Sequence, residues 1–461
     1  MLFPSNKSSN KSYQFGLKIV SLLQKNGFKA FWVGGAVRNM LLNRQSGDID
    51  IATSASPDEV EKILSANKIP HKPIGKKFGT ILAINIFGNA EITTFRKEGD
   101  YKDRRHPGEI AFVEDYETDS LRRDFTINSI YFDPIKKELL DPQKGQKDLA
   151  GKLVRFVGDP RKRINEDALR MLRGVRLATE LGFKMEKNTF AAIKTRVKYI
   201  QSISGERIKA EVDKILALPN RADGVRLLEK TGLLQFIMPE VYALREHYHK
   251  SRRYHLEGNI FEHALLTLKN IAPGINLGYA ALYHDSGKAQ TSTKKLKEEG
   301  WVNSFPKHEL VSAQNSKALA KRLKFSRTDA QEIIWLTAMH MQRHPFIKDM
   351  SLKKKLALAT HKYFSQLLEI WKADALSNLR VVEGEIKPGE PKAWKEGKAL
   401  LKKIHDNKKL IEQATDGKMI LNVLKINSGP RISEIKHKIL LAIMENKIKN
   451  LSEAKIFLKK I

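Results

Sequence analysis

The hydrophobic pattern changes near residue 148, and this change constrains the fold more than any other feature of the chain. Before it, short apolar runs of strand length, such as residues 30–33, 80–87 and 125–132, are separated by Gly and Pro. After it, apolar residues recur at three- and four-residue spacing in segments such as 166–181 and 206–217, which is typical of amphipathic helices. The sequence therefore predicts the α+β fold class, with a mixed β-sheet unit followed by a mostly helical remainder.

The composition is strongly basic and lacks cysteine. The 461 residues include 83 Lys and Arg against 52 Asp and Glu, which gives a net charge of +31, and there is no Cys. Without Cys there is no disulfide, no thiolate nucleophile and no Cys-ligated metal, so any metal must be held by His and carboxylates. The charge favours a polyanionic partner, first nucleic acid and second an anionic membrane surface, although a Lys-rich proteome is an alternative explanation.

The chain carries no signal for membrane insertion or export. No stretch approaches the roughly 18 uncharged apolar residues that a membrane span needs. The first sixteen residues also lack the apolar core of a signal peptide. We therefore expect a cytoplasmic protein with no membrane partner.

Shifts in composition predict four domains. The pattern changes near residue 145, at the Leu-Pro-Asn sequence of 218–220, and across the Pro-, Gly- and charge-rich stretch 383–391. The predicted domains are an α/β head over residues 1–145, a helical neck over 146–218, a helical body over 219–385 and a basic helical tail over 386–461.

A glycine pair followed by two alternating aspartates suggests phosphate and metal chemistry. Gly34–Gly35 ends an apolar run and begins a helix, where free N–H groups favour a phosphate and Arg38 would extend the same cradle. Asp48 and Asp50 would project from one face of a strand and bridge two Mg²⁺ ions, with Glu91 as the third carboxylate. The alternative is a turn followed by a solvent-facing acidic strand.

This segment, GGAVRNMLLNRQSGDIDIAT, resembles the first motif of the class II tRNA nucleotidyltransferase and bacterial poly(A) polymerase family. Asn39 departs from the Asp that is usual there. Further family motifs match in order at residues 122–128, 148–158, 166–170 and 204–208. The resemblance implies two Mg²⁺ ions in the head and a nucleotide site formed by Gly34, Gly35, Arg38, Arg122, Arg123, Asp124, Asn128, Asp167, Arg170, Arg173, Arg176 and Arg207.

The EDxxR sequence at residues 166–170 offers a template made of amino acids. On a helix, Asp167 and Arg170 lie on one face, with an acceptor beside a planar donor fork. This pair matches cytosine and adenine, whose Watson–Crick edges carry an amino donor, whereas uracil and guanine present a carbonyl there and leave the carboxylate unpaired. The alternative is an ordinary surface ion pair.

Two stretches separate branches of the family. Residues 95–107 resemble the flexible loop of enzymes that add the terminal adenosine, which CC-only enzymes lack, and residues 75–81 are similar to the CCA-adding branch. The predicted function is template-independent addition or repair of the 3′-terminal CCA of tRNA from CTP and ATP. Poly(A) polymerase and A-adding tRNA nucleotidyltransferase remain the alternatives.

The helical region contains a second group of candidate metal ligands. Any one of these His residues alone is more often a core or surface residue, but together they resemble the HD phosphohydrolase domain. That resemblance implies a divalent ion such as Mn²⁺, Ni²⁺ or Mg²⁺ and a possible phosphohydrolase activity, with the ligands His263, His284, Asp285 and Asp374. His308 and His340 stand where members with a second metal place further ligands.

The Lys-rich tail also resembles the C-terminal region of CCA-adding enzymes with HD domains. Its basic face would bind tRNA phosphates by shape, as duplex RNA generally is bound. The alternative is a solvated helical surface. The oligomeric state stays open between a monomer and a homodimer.

Overall fold

The computed structural model describes residues 11–44, 49–99, 108–248, 256–297, 300–426, 429 and 431–460. The chain divides between Ile237 and Met238 into two units. The β-sheet lies in the first unit and the second is mainly helical, so the predicted α+β fold class is confirmed. None of the helices in these residues is long and apolar enough to cross a membrane.

The first unit begins with a region of alternating strands and helices. Its strands are β1 (Ala30–Val33), β2 (Ile49–Thr53), β3 (His71–Gly75), β4 (Thr80–Ala83), β5 (Ala90–Thr94), β6 (Arg96–Glu98), β7 (Ile110–Phe112), β8 (Tyr131–Asp133) and β9 (Glu138–Leu140). Its helices are α1 (Lys11–Lys25), α2 (Gly34–Leu41), α3 (Pro57–Ala66), α4 (Tyr116–Leu121) and α5 (Gly145–Ala150). Short 3-10 turns lie at Lys76–Phe78 and Thr126–Asn128.

In the part of the chain that the structure describes, seven strands form one sheet in the order β3-β4-β5-β2-β1-β8-β9. The β2–β5 pair is parallel and the other neighbours are antiparallel. Ile49, Ile51 and Ile92 point to the face that packs on α1 and α3. Because side chains alternate along a strand, Asp50 and Glu91 project from the opposite face.

The part of the first unit from residue 153 to residue 237 consists of helices and one short β-ladder. Its elements are β10 (Leu153–Val154), α6 (Pro160–Glu166), α7 (Leu169–Leu181), β11 (Lys184–Met185), α8 (Lys187–Arg196), a 3-10 segment (Val197–Ser202), α9 (Gly205–Leu216), α10 (Arg221–Thr231) and α11 (Leu233–Ile237). The parallel β10–β11 pair was not predicted. A Cβ on Gly224 would lie 2.5 Å from Ile215 Cγ2, so glycine permits the close approach of α10 to α9. The first unit ends at Ile237, and the four predicted domains stay a prediction.

Three sequence-based assignments of secondary structure differ from the structure. The strand expected over 80–87 ends at Ala83, and the one expected over 125–132 is interrupted by the turn at Thr126–Asn128, so that its strand begins only at Tyr131. The helix expected over 166–181 is broken, because Asp167 adopts an extended conformation with φ −144°. Its carboxylate accepts a hydrogen bond from the backbone N–H of Leu169 at 3.0 Å. Such local bonds let an aspartate compete with helix continuation.

The second unit is a set of helices with two short hairpins. The helices are α12 (Pro239–Tyr242), α13 (Ile260–Asn270), α14 (Ile275–Tyr283), α15 (Lys288–Thr291), α16 (His308–Arg322), α17 (Arg327–Met339), α18 (Arg343–Lys348), α19 (Leu352–Ala359), α20 (Phe364–Ser377), α21 (Lys392–Asp406), α22 (Lys408–Ala414), α23 (Gly417–Leu424), α24 (Arg431–Met444) and α25 (Leu451–Leu458). The hairpins, which were not predicted, are β12 (Thr293–Lys297) with β13 (Gly300–Ser304), and β14 (Leu379–Val382) with β15 (Glu385–Pro388). Further 3-10 turns lie at Ala243–Glu246 and His340–Gln342.

Two apolar cores organise the second unit. The first packs α14, α17 and α20 around Phe364 and Trp371. The second joins α19 to the C-terminal helices through Leu356, Ile439 and Leu458. The C-terminal helices therefore have an apolar core of their own beside their basic surface.

Candidate active sites

The glycine pair forms the predicted turn between a strand and a helix. Gly34 is the first residue of α2 and has φ +72°, a left-handed conformation that favours glycine. A Cβ at this position would lie 2.7 Å from Asp50 Oδ2, so a side chain would also clash with that carboxylate. Two constraints therefore require glycine here, and together they bring the turn's backbone against Asp50.

The sheet brings two of the three predicted carboxylates together. Asp50 on β2 pairs in register with Glu91 on the parallel strand β5, so both side chains leave the same face on adjacent strands. Asp50 is half-buried and Glu91 is exposed. Carboxylate oxygens are the ligands that Mg²⁺ prefers, so these two residues fit the predicted ions. Asp48 lies outside the described residues, and the two-ion assignment stays a prediction.

A polar cavity of about 400 Å³ lies beside Asp50. This volume is in the range of small-molecule sites. Ten of the predicted residues line it: Gly34, Gly35, Asp50, Arg122, Arg123, Asp124, Asn128, Asp167, Arg170 and Arg173. Phe78, Arg96 and Glu98 complete the lining and were not predicted, although they lie in the stretches 75–81 and 95–107 that the sequence singled out. Residues 100–107 of the second stretch lie outside the described residues.

A buried aspartate holds the arginines of the second motif. Asp119 accepts from Arg122 at 2.7 Å, from Arg123 at 3.0 Å and from the hydroxyl of Tyr131 at 2.7 Å. Burial opposes its ionisation, but the two guanidinium groups outweigh burial and hold the pKa of Asp119 at about 2. Sequence reasoning missed Asp119, although a carboxylate three and four residues before an arginine pair at a helix end was a usable signal.

Arg38 contacts a residue that lines the cavity. It is buried and donates a 2.7 Å hydrogen bond to Asn128 Oδ1. It also donates to Asn39 Oδ1 at 3.0 Å, and Glu180 lies 3.4 Å away. The Asn39 amide thus accepts the bond that an aspartate would accept, while Glu180 supplies negative charge. Arg38 is absent from the described lining of the cavity, so its predicted phosphate contact stays a prediction.

The predicted template pair is not a helical pair. Asp167 lies in the break between α6 and α7, while Arg170 lies in the first turn of α7. Each has a separate partner. Asp167 Oδ2 accepts from Arg207 at 2.9 Å, and Arg170 pairs with the buried Glu166. The helical expectation was therefore wrong, yet both side chains still line the same cavity.

Two further predicted arginines bond to acidic side chains instead of lining the described cavity. Arg176 bonds Glu211 at 2.7 Å and Glu180 at 2.8 Å. Arg207 forms an ion pair with Asp167, which lines the cavity, but Arg207 is not itself among the described lining residues. Their direct contact with a nucleotide stays a prediction.

The second unit contains two adjacent groups of buried ligands. They consist of His263, His284 and Asp374, and of Asp285, His308 and His340. Asp285 faces both groups: Oδ2 lies 3.3 Å from His284 Nε2, and Oδ1 lies 3.1 Å from His308 Nε2. His263 Nε2 lies 3.3 Å from Asp374 Oδ1, and His308 Nε2 lies 3.2 Å from His340 Nε2. The arrangement brings together all four predicted ligands and both additional histidines.

The chemistry of these groups fits divalent cations. In His284, His308 and His340, Nδ1 faces a backbone carbonyl three residues earlier at 2.8–2.9 Å. A carbonyl only accepts, so Nδ1 carries the proton and Nε2 offers a lone pair. Within the described residues, buried His284 Nε2 makes no hydrogen bond. Imidazole nitrogens with carboxylate oxygens suit ions such as Mn²⁺ and Ni²⁺.

Two cations lie against the carboxylates of this second site. Lys288 Nζ is 2.6 Å from Asp285 Oδ2, and Arg343 pairs with Asp374. Burial opposes ionisation of both carboxyl groups, but Lys288 holds the pKa of Asp285 well below its usual range, and Arg343 does the same for Asp374. Both carboxylates are therefore charged and able to bind a cation.

Comparisons with known proteins agree with both sites. Residues 30–155 match the poly A polymerase head domain, 182–244 the probable RNA and SrmB-binding site of polymerase A, and 260–377 the HD domain. The chain therefore carries a poly A polymerase head domain and an HD domain. The head match contains the cavity residues from Gly34 to Asn128, and the HD match contains both groups of histidine and aspartate ligands.

Curated relatives named CCA-adding enzymes align with about half of the chain's length. The CCA-adding enzyme of Geobacillus sp. (strain WCH70) is 42% identical over 225 residues, which are 49% of this chain and 54% of that protein. The CCA-adding enzyme of Anoxybacillus flavithermus is 40% identical over 247 residues, or 54% of this chain and 61% of that protein. The chain thus spans little more than half the length of the curated relatives it matches.

Solved structures extend the likeness over nearly the whole chain. The CCA-adding enzyme of Bacillus stearothermophilus in complex with CTP has a TM-score of 0.69 and 26% identity, and the match covers 97% of both chains. A CCA-adding enzyme in complex with ATP has a TM-score of 0.63 at 19% identity, which supports the nucleotidyltransferase fold alone.

Proposed function

We propose that this chain is a template-independent tRNA nucleotidyltransferase that adds or repairs the 3′-terminal CCA of tRNA from CTP and ATP. The observation that carries the proposal is a single cavity whose lining includes Asp50, Asp167 and Arg170. A nucleotide in this cavity would have its triphosphate beside Asp50 and its base beside the other two residues. The names of the curated relatives support CCA addition over poly(A) synthesis.

Each part of the cavity has a separate task in this proposal. Asp50, Asp48 and Glu91 would hold two Mg²⁺ ions, which when bound activate the attacking 3′-hydroxyl and stabilise the leaving pyrophosphate. The backbone of Gly34–Gly35 would lie against the triphosphate. Arg122 and Arg123, fixed by Asp119, would neutralise its charge without having to reorganise during the reaction.

Base selection would rest on Asp167 and Arg170, each held by its own partner. Arg207 fixes the Asp167 carboxylate, and Glu166 fixes the Arg170 guanidinium. The carboxylate would accept from the amino group of cytosine or adenine, and the guanidinium would donate to the neighbouring ring nitrogen. A carbonyl at the amino position would face a carboxylate with no proton to share, which disfavours uracil and guanine.

We also propose that the HD site holds two divalent cations and hydrolyses phosphate esters. Its first ion would lie among His263, His284 and Asp374, and its second among His308, His340 and Asp285. Such ions activate water and neutralise developing charge when bound. Arg343 and Lys288, which contact the ligand carboxylates, would place positive charge where a phosphate enters.

tRNA would bind through the basic surface of the protein. The chain carries a net charge of +31, and phosphate contacts dominate the affinity of most RNA-binding proteins. Exposed lysines of the C-terminal helices, such as Lys402, Lys408 and Lys409, would contribute to this surface. Because tRNA maturation takes place in the cytoplasm, we place the protein there.

Replacing the template pair should relax base choice. In an Asp167→Ala, Arg170→Ala double variant we expect incorporation of CTP and ATP to fall and the preference over UTP and GTP to drop about 10- to 100-fold, which corresponds to about 1–3 kcal/mol for an unpaired polar group. Asp50 is untouched, so metal-dependent chemistry should persist. Single-turnover incorporation of each nucleotide into tRNA measures the effect.

The control for this variant is Arg161→Ala on the exposed surface of α6, which should keep normal selectivity. If the double variant loses all four nucleotides in equal proportion, or keeps its original preference, the two residues support the neck and base selection lies elsewhere.

A further inference from the structure

The described histidines of the HD site differ in what holds their second ring nitrogen. Three of them donate Nδ1–H to a neutral backbone carbonyl: His284 to Ala281, His308 to Phe305 and His340 to Thr337. His263 is different, because its Nδ1 lies 2.9 Å from Oε1 of Glu257, a carboxylate. The Nε2 atoms of all four face the ligand carboxylates. The two ligand groups therefore differ in the hydrogen-bond partners of their histidine Nδ1 atoms.

The Glu257 side chain is held in one position by burial and by hydrogen bonds. Its side chain is fully buried, with an exposed fraction of 0%. Its second oxygen, Oε2, accepts a 3.0 Å hydrogen bond from the backbone N–H of Leu379, at the start of β14. The neighbouring Leu256 N–H donates to the Leu379 carbonyl at 3.1 Å, which ties the same two segments together. Glu257 thus has no freedom to turn away from His263.

Among the described residues, no carboxylate lies within hydrogen-bonding distance of Nδ1 in the histidines of the second group, His308 and His340. The nearest case is Glu309, whose Oε2 lies 4.0 Å from His308 Nδ1. That distance exceeds a hydrogen bond, and His308 Nδ1 already donates to the Phe305 carbonyl. Glu309 therefore offers a natural matched control for Glu257.

A carboxylate behind a histidine changes how that histidine binds a metal. It fixes the ring orientation and the tautomer, and it raises the basicity of the coordinating nitrogen more than a neutral carbonyl does. Loss of such a partner typically costs about 10- to 100-fold in metal affinity. The group that contains His263 should accordingly bind its ion more tightly than the group that contains His308 and His340.

We infer that Glu257 is a positioning residue that makes the HD site asymmetric, with a tight ion at His263, His284 and Asp374 and a weaker, exchangeable ion at His308 and His340. Asp285 contributes to both, since Oδ2 faces the first group and Oδ1 the second. The inference rests on the proposed binding of two cations at this site. The site would gain its second ion only when the free metal concentration rises.

Mn²⁺ binding to the full metal-free chain, measured by calorimetry and by the loss of the free-ion EPR signal, tests the inference. The wild type should bind two ions with affinities at least about 10-fold apart. Glu257→Gln, which keeps the shape but removes the charge, should weaken the tight ion about 10- to 100-fold and leave the weaker ion within a few-fold. Glu309→Gln should change neither.

Two further variants show which histidines bind the tight ion (the tight class) and which bind the weaker ion (the weak class), even if Glu257→Gln fails to fold. His263→Ala should remove the tight class, and His308→Ala should remove the weak class. Loss of the tight class in His308→Ala, equal affinities in the wild type, or an unchanged tight class in a folded Glu257→Gln protein would overturn the inference while leaving the two-ion site intact. No Mn²⁺ binding by the wild type would instead overturn the proposed HD activity, on which the inference rests.

Discussion

Asp50→Ala should lower the rate of nucleotide addition at least about 1000-fold, which corresponds to about 4 kcal/mol of transition-state stabilisation. Asp50 is the described carboxylate that lies against the Gly34 turn and lines the arginine-rich cavity, so its loss removes a metal ligand at the centre of the site. Affinity for tRNA should stay within a few-fold, because the basic surface is unchanged. Single-turnover addition of CMP to tRNA that lacks CCA, with binding measured in parallel, gives both quantities.

Two companion variants sharpen this experiment. Asp50→Asn keeps the size of the side chain and should be nearly as inactive, which separates loss of charge from loss of packing. Asp58→Ala makes the same change as Asp50→Ala on the exposed surface of α3 and should remain active. Extension near the wild-type rate by either Asp50 variant at ordinary Mg²⁺ concentrations would contradict the two-ion assignment.

Asp285→Asn should empty both ion sites of the HD domain with a single substitution. Its Oδ1 lies 3.1 Å from His308 Nε2 and 3.6 Å from His340 Nε2, and its Oδ2 lies 3.3 Å from His284 Nε2. We expect bound Mn²⁺ to fall from two ions to a small fraction of one, and hydrolysis of a 2′,3′-cyclic phosphate to drop at least about 100-fold. Elemental analysis of dialysed protein and a phosphate-release assay measure these effects.

CCA addition should survive this change, because the carboxylates and cavity of the head lie in the other unit of the chain. Asp349→Ala, an exposed aspartate in the same unit, serves as the control. Thermal melting shows whether Lys288, which loses its charged partner, destabilises the variant. Equal loss of hydrolysis and CCA addition in a folded protein would mean that the helical domain is a prerequisite for the head, contrary to the proposed division of labour.

Local sequence pattern predicted the features that depend on neighbouring residues. The apolar run of β1, the Gly34 turn and the alternation around Asp50 are all encoded within residues 30–51, and the structure has them as predicted. The register of Asp50 against Glu91 could not be read from spacing, because it depends on which strands become neighbours. Glu91 was predicted as the third carboxylate from its place on a later strand, without knowledge of this register.

The missed features depend on partners that are distant in sequence or on local competition. The break at Asp167 arises because its carboxylate bonds the backbone of Leu169. Its pairing with Arg207 joins residues 40 positions apart, which a helical spacing rule does not consider. The hydrogen bond from Arg38 to Asn128 joins residues 90 positions apart, and the sequence did not predict it. In each case the residue type was informative, while its partner was set by tertiary packing.

The extension products of a tRNA transcript that lacks CCA test the central proposal most directly. The transcript is incubated with each nucleotide alone and with CTP and ATP together, and the products are resolved at single-nucleotide length. The proposed function predicts two added residues with CTP alone, three with CTP and ATP together followed by a stop, and no product with UTP or GTP. Long adenosine tails from ATP alone, or addition of a single adenosine only to transcripts that already end in CC, would contradict it.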